Sequence, residues 1–174
     1  MANSLINEKV ENSLNLIIKE FFWGNRLLDR IMTNLVIMFV MPKTESTLHI
    51  PLAHKYPLFS DELGGYMERR NCLVGYLDTP ADMTVYNTPL EAFQKYLDYQ
   101  VELEDLIQEA MNVAIDEGDI MTKKFLNNLL LEVGVYTNQA LLLVDKAGMY
   151  GNDKFAWMMM DEHAESLLLP ELQG

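Results

Sequence analysis

MTKKFLNNLLLEVGVYTNQALLLVDKA, residues 121–147, is the stretch whose reading decides the fold. It holds no proline, and Phe125, Leu129, Glu132, Tyr136, Gln139 and Leu143 recur at steps of three and four, so the spacing predicts one helix over 120–147 with these six on one face. Glu132 stands where that face asks for an apolar residue. A carboxylate turned into a core must be paired, protonated or bound to a metal, because burying a bare charge costs several kcal/mol or more. If other helices also bring carboxylates inward, a metal site inside a bundle becomes the default explanation.

The rest of the chain fits a bundle. It has 174 residues, about the size of one domain with a substantial core, and 49% of them are hydrophobic. The formal net charge of −13 argues against a surface that grips nucleic acid through lysine and arginine, and suits an acidic protein or a container for cations. Cys72 is the single cysteine, so no intrachain disulfide forms and a reducing cytosol is the expected home. Glu8 and Glu11 among the first apolar residues do not read as a secretory leader, and the apolar run 36–41 is too short to span a bilayer.

One domain over 1–174 is expected, all-α, built from long helices at about 4–35, 57–76, 88–117 and 120–147 with a short tail helix at 153–164. The first carries Val10, Leu14, Ile17, Phe21, Leu28 and Ile31 on one stripe, with a second stripe through Leu16, Glu20, Trp23 and Leu27. Residues 36–40 extend it or form a strand; 42–56 reads as a loop. Pro57 suits a first helical turn. Thr88-Pro89-Leu90-Glu91 is the sharpest boundary: an N-cap threonine, proline at the first position and glutamate at the capping-box position. The third long helix then runs Phe93, Leu97, Gln100, Glu104, Ile107 and Met111 along a stripe. Glu117-Gly118-Asp119 is a short turn to an antiparallel neighbour, and Gly148 is the expected C′ residue of the fourth.

Polar residues interrupt these stripes: Glu20, Asn71 beside Glu68, Gln100 with Glu104, and Glu132 with Gln139. Carboxylate bundles that hold a metal pair take one Glu from each of two helices and a Glu-x-x-His from each of the other two. No Glu-x-x-His occurs here; the nearest equivalent is Glu68-x-x-Asn71. Glu20, Glu68, Glu104 and Glu132 are the candidate metal ligands, and for each the plainer reading is an ion pair or a solvated charge. Gln100 and Gln139 read as core-bridging amides, and His49, His54 and His163 as surface or capping residues. Met158, Met159 and Met160 with Trp157 read as packing. Neither a nucleophile elbow nor a glycine-rich phosphate loop is present.

Leu14-Asn15-Leu16-Ile17-Ile18-Lys19-Glu20-Phe21 resembles the first helix of ferritins and Dps-type mini-ferritins. The loop before the second helix, with its histidine and then Pro57-Leu58-Phe59-Ser60-Asp61-Glu62-Leu63, is similar to the Dps-type pattern. Asp119-Ile120-Met121-Thr122-Lys123-Lys124-Phe125-Leu126, continued to Glu132, looks like the last turn and fourth helix of bacterial ferritins, and Gly148 with residues 157–161 like their tail. The resemblance covers nearly the whole chain. It implies a ferritin-like antiparallel four-helix bundle with one long crossover, a homo-oligomer, and iron bound at Glu20 and beside Glu132. The chain departs from that pattern where the second-helix Glu-x-x-His is missing, where the third-helix ligand falls at Gln100, where Val133 replaces a Gln, and where no histidine lies near Arg30 or Ile31.

Two functions follow as expectations. One is iron binding and storage, or Dps-like protection against oxidative stress, with ferrous iron oxidised at the inward carboxylates. The other is a metal-free bundle of the same fold serving as a structural or interaction module. DNA binding is opposed by the charge.

Overall fold

The computed structural model describes residues 3–173; the domain limits at 1 and 174 and the first two residues of the leader reading lie outside it. Among the described residues there are helices and no strand. Helix α1 spans Glu8–Ile37, α2 Pro42–Leu48, α3 Lys55–Arg69, α4 Pro89–Asp116, α5 Ile120–Tyr150 and α6 Lys154–Glu162, and α1, α3, α4 and α5 form the bundle. None is long and apolar enough to cross a membrane.

Each start has a local cause. The Asn7 side chain accepts from the Val10 N–H, Thr88 from Glu91, Asp119 from Thr122 and Asp153 from Ala156, each satisfying an N–H that has no partner inside its helix. The Glu91 carboxylate, expected to reach back to Thr88, instead accepts from the Asn87 N–H at 2.8 Å. α5 is legible almost to the residue but ends later than expected: Gly148 stays helical and Gly151, at φ 100°, takes the cap.

Three expectations are corrected. Residues 36–40 form no strand; α1 ends at Ile37, and Val40 at φ 58° turns the chain into α2. The loop expected over 42–56 is helical: Pro42 opens α2, and a π turn, His49–Ala53, follows. The Thr44 N–H at the start of α2 donates to buried Asp161 Oδ1 at 2.7 Å, so α6 caps α2 across the fold. Finally, the second long helix ends at Arg69 rather than 76. Asn71 adopts φ 55°; its N–H donates to the Glu68 carbonyl and that of Cys72 to the Met67 carbonyl, a Schellman closure with asparagine in glycine's usual place. Asn71 is thus an exposed stop signal, not an inner-face residue.

From there residues 70–88 cross the bundle as an extended strap lying on α1. Asn15, Phe22, Arg26, Arg30 and Asn34 share one face of that helix and receive it. Asn15 Oδ1 accepts the Gly75 N–H at 2.8 Å, with the amide so close that a side chain at Gly75 would collide with it. The Phe22 and Tyr76 rings lie 6.0 Å apart, Arg26 donates to the Thr79 and Pro80 carbonyls, and Arg30 Nε donates to that of Thr84 at 2.6 Å. Asn34 Oδ1 accepts from the Tyr86 N–H at 3.1 Å. Gln139, fully buried as expected, donates to the Leu167 carbonyl and accepts from the Leu169 N–H, fixing the tail; Trp157 packs edge-on against Phe39.

Candidate functional site

The midpoint of the bundle, where a metal pair would lie, is filled by aromatic rings from all four long helices. Phe21 of α1 stacks on Phe59 of α3 with centroids 5.3 Å apart; Tyr136 of α5 meets Phe59 edge-on at 5.5 Å, and Tyr99 of α4 meets Tyr56 edge-on at 5.6 Å. Several of its polar atoms bond to one another. Tyr56 donates to the Tyr96 hydroxyl at 3.1 Å, and the Gln100 amide donates to both phenols. Tyr99 donates to the Glu20 carbonyl at 2.8 Å; its hydroxyl and ring fill the space that a Cβ at Gly24 would need. This is the one place in α1 where glycine is required by close approach.

Burial raises Tyr56, Tyr96 and Tyr99 well above an ordinary phenol, reinforced at Tyr56 by the neighbouring tyrosines, and raises Tyr136 to about 12. All four phenols therefore stay protonated at neutral pH. Gln100 Oε1, buried with no partner, is the one leftover acceptor, and it is neutral.

The four candidate glutamates lie elsewhere. Glu132 is half exposed, at 50%, with Lys55 Nζ 3.9 Å from its carboxylate. Its expected core position belongs to its neighbour: Val133 is fully buried, and the inward stripe of α5 is Thr122, Leu126, Leu129, Val133, Tyr136, Gln139, Ala140, Leu143 and Ala147. Lys55 also stands over the Phe59 ring at 4.5 Å, so the pair covers the edge of the aromatic cluster. Glu20 is partly buried beside Lys19 at 3.8 Å; burial raises its carboxyl, Lys19 lowers it and Glu102 raises it. Glu104 accepts the Thr137 hydroxyl between α4 and α5. Glu68 is exposed near the end of α3. Among the described residues no three His, Cys, Asp or Glu side chains gather as a metal site, so these four are not brought together.

Tyr56, Phe59, Tyr96 and Tyr99 escaped the sequence reading, whereas Phe21, Tyr136 and Gln100 were expected on inward stripes. Tyr56 and Phe59 face the midpoint at the i, i+3 spacing of a Glu-x-x-His, and Tyr96 and Gln100 at i, i+4. The signal was the run of tyrosines at helical spacing on three segments, which reads equally well as ordinary core. A pair of iron ions requires hard anionic oxygen and imidazole donors. Neutral phenols already bonded to one another, phenylalanine and one amide oxygen do not fit such a group. His49 bridges Asp29 at 3.1 Å and Glu45 at 2.8 Å, with His54 edge-on to it at 5.0 Å, in a separate surface cluster.

No family model matches the chain, and no curated protein matches its sequence. Solved structures do resemble it. An open-pore ferritin from the hyperthermophilic archaeon Archaeoglobus fulgidus superposes with a TM-score of 0.82 at 22% identity, over 94% of this chain and 99% of that one. A humanized archaeal ferritin gives 0.80 at 22% identity, over 94% and 98%. A closed form of the Archaeoglobus fulgidus ferritin made by site-directed mutagenesis gives 0.81 at 21%, over 94% and 98%. With alignments at these scores covering 94% of the chain, its fold is ferritin-like.

Proposed function

We propose that the chain is a ferritin-like structural or interaction module whose bundle centre has exchanged metal ligation for aromatic packing. The observation that carries this reading is the midpoint itself: Tyr56, Phe59, Tyr96, Tyr99, Gln100 and Tyr136 occupy the inward positions with no carboxylate or imidazole among them. A ligand set lost only in part would leave inward acids without counter-charges. Here the glutamate nearest that cluster on α5 is turned aside to Lys55.

The partner we assign is further copies of the chain. On the strap, Leu73, Tyr76, Leu77, Met83 and Val85 are all exposed, Leu73 to 87% and Met83 to 79%, beside the first helix that holds them. An apolar row of that kind supports association, whereas the −13 charge disfavours contacts with nucleic acid. A cytosolic setting goes with the same reading, since Cys72 is a free, buried thiol that burial holds protonated.

The likeness to archaeal ferritins favours a second reading, in which iron is cargo bound at Glu20, Glu68, Glu104 and Glu132. Ferrous iron added aerobically to the metal-free chain separates the two. Oxidation no faster than in buffer, and equal for Glu132→Ala, is the expected result. Fast oxidation that collapses in Glu132→Ala would sink the scaffold reading and establish a carboxylate centre. Sedimentation of the native chain against Leu73→Ser/Met83→Ser checks the association, which the double substitution is expected to weaken.

A further inference from the structure

Away from the bundle midpoint, a cleft of about 380 Å³ opens between α1, the end of the strap and the first turns of α4. Its apolar lining comes from Trp23, Leu27 and the ring of Tyr86, and its acidic lining from Asp82, Glu91 and Asp98. Two of the carboxylates already have partners. Glu91 accepts from the Asn87 backbone and side chain at 2.8 and 3.0 Å, and Asp98 accepts from Gln94 at 2.9 Å.

Asp82 is different. Its Oδ1 accepts the Thr84 N–H at 2.9 Å, but Oδ2 is buried with no partner. Tyr86, only 3% exposed, is in the same position: its hydroxyl is buried and unpartnered. A buried donor or acceptor left unmade is destabilising, and more so where it carries charge. Asp82 and Tyr86, two residues that line one cleft, thus each carry a buried polar atom without a hydrogen-bond partner.

We propose that this cleft binds a small organic cation, an ammonium on an apolar stem, whose N–H groups donate to Asp82 Oδ2 and the Tyr86 hydroxyl while the stem lies against Trp23 and Leu27. An ammonium has three donors and no acceptor, which suits the unpartnered carboxylate oxygen and the lone pairs of the phenol, and its charge answers that of Asp82. The indole face favours a cation, and a cleft of this size suits a small molecule. The −13 charge of the chain raises the local concentration of cations. A metal ion suits it less well, because among the described residues no three acidic, histidine or cysteine side chains converge.

The test is calorimetric titration of the full chain at pH 7 with 2-phenylethylammonium, with uncharged 2-phenylethanol, which has the same stem, as control. One site per chain for the ammonium and no binding of the alcohol is the expected result. Tyr86→Phe should weaken binding about tenfold and Asp82→Asn by more, with melting curves kept. If Tyr86→Phe lowers melting, Trp23→Leu on the half-buried wall replaces it and should weaken binding as well. No heat at millimolar ammonium, or equal affinity in native chain and variants, would overturn the proposal, the latter by revealing general attraction to an acidic surface.

Discussion

At the scale of single residues, the difference between Glu132 and Val133 decides how the centre of the bundle is read. One position along a helix turns a side chain by about 100°. A stripe begun at Phe125 carries Glu132 inward; begun at Thr122 it carries Val133 inward and leaves the glutamate at the flank. Both stripes share Leu129, Tyr136, Gln139 and Leu143, so the helix was legible in the sequence while its rotation was not. Because Glu132 is half exposed and 3.9 Å from Lys55, Glu132→Leu should change stability by roughly 0–1 kcal/mol. Thermal melting should give the same small change with and without ferrous iron. A loss near 3 kcal/mol would mean that a buried, paired charge had been broken, and would overturn the flank position. Gly24 makes the opposite kind of prediction. A Cβ there collides with the Tyr99 hydroxyl and ring, so Gly24→Ala should cost about 1–3 kcal/mol although alanine is the better helix former. Tyr99→Phe removes the hydroxyl but leaves the ring carbons, so in a double-mutant cycle it should recover part of the loss and no more. Full additivity would show that the two residues do not meet.

At the scale of elements, what could be read depended on whether the instruction is local. Thr88-Pro89 and Asp119 announce α4 and α5 because capping is settled within four residues. Asn71 ended α3 early because it adopts φ 55°, a conformation that its sequence neighbours do not signal as glycine would. α2 was read as a loop because part of what holds it lies more than a hundred residues away: the Thr44 N–H meets Asp161, and Lys43 meets Glu162 at 2.8 Å. That the four candidate glutamates gather into no cluster among the described residues has a related reason. Periodicity shows which residues share a face, but only packing shows that the tyrosines of α3, α4 and α5 converge. The α2–α6 contact is open to test. Asp161→Ala orphans a buried N–H and removes a charged acceptor, which predicts a loss of about 1.5–3 kcal/mol. That corresponds to a fall in melting temperature of about 2–4 °C per kcal/mol for a chain of this size. Lys43→Ala, which breaks a half-exposed pair, should lie within about 1 kcal/mol of native. If the two variants melted alike, Asp161 would not be the tether that holds the tail onto α2.

At the scale of the whole molecule, the aromatic midpoint links the fold to its pH range. Tyr56, Tyr96, Tyr99 and Tyr136 all have phenol groups raised by burial, Tyr136 to about 12, while in the unfolded chain each ionises near 10. A group whose pKa is higher in the folded state binds its proton more tightly there. Its stabilising contribution is complete below the unfolded value and is lost as pH rises from about 10 through the folded one. Tyr56 interacts with the other three, which makes the loss cooperative, because the first phenolate would be buried among neutral phenols. In an alkaline titration followed at 295 nm and by far-ultraviolet circular dichroism, these four tyrosines should ionise together, in the same step that melts the helices. Gradual ionisation of all tyrosines with the helices intact would mean that water or a cation reaches the midpoint. The same titration with ferric iron present probes the chemistry of the centre. A phenolate that bound iron would lose its proton well below pH 10 and bring a visible charge-transfer band, whereas a midpoint closed by packing should titrate identically with and without the metal. Identical curves would place the origin of the bundle's rigidity in its rings and their shared hydrogen bonds, and would leave the strap and the α1 cleft as the surfaces through which the molecule acts.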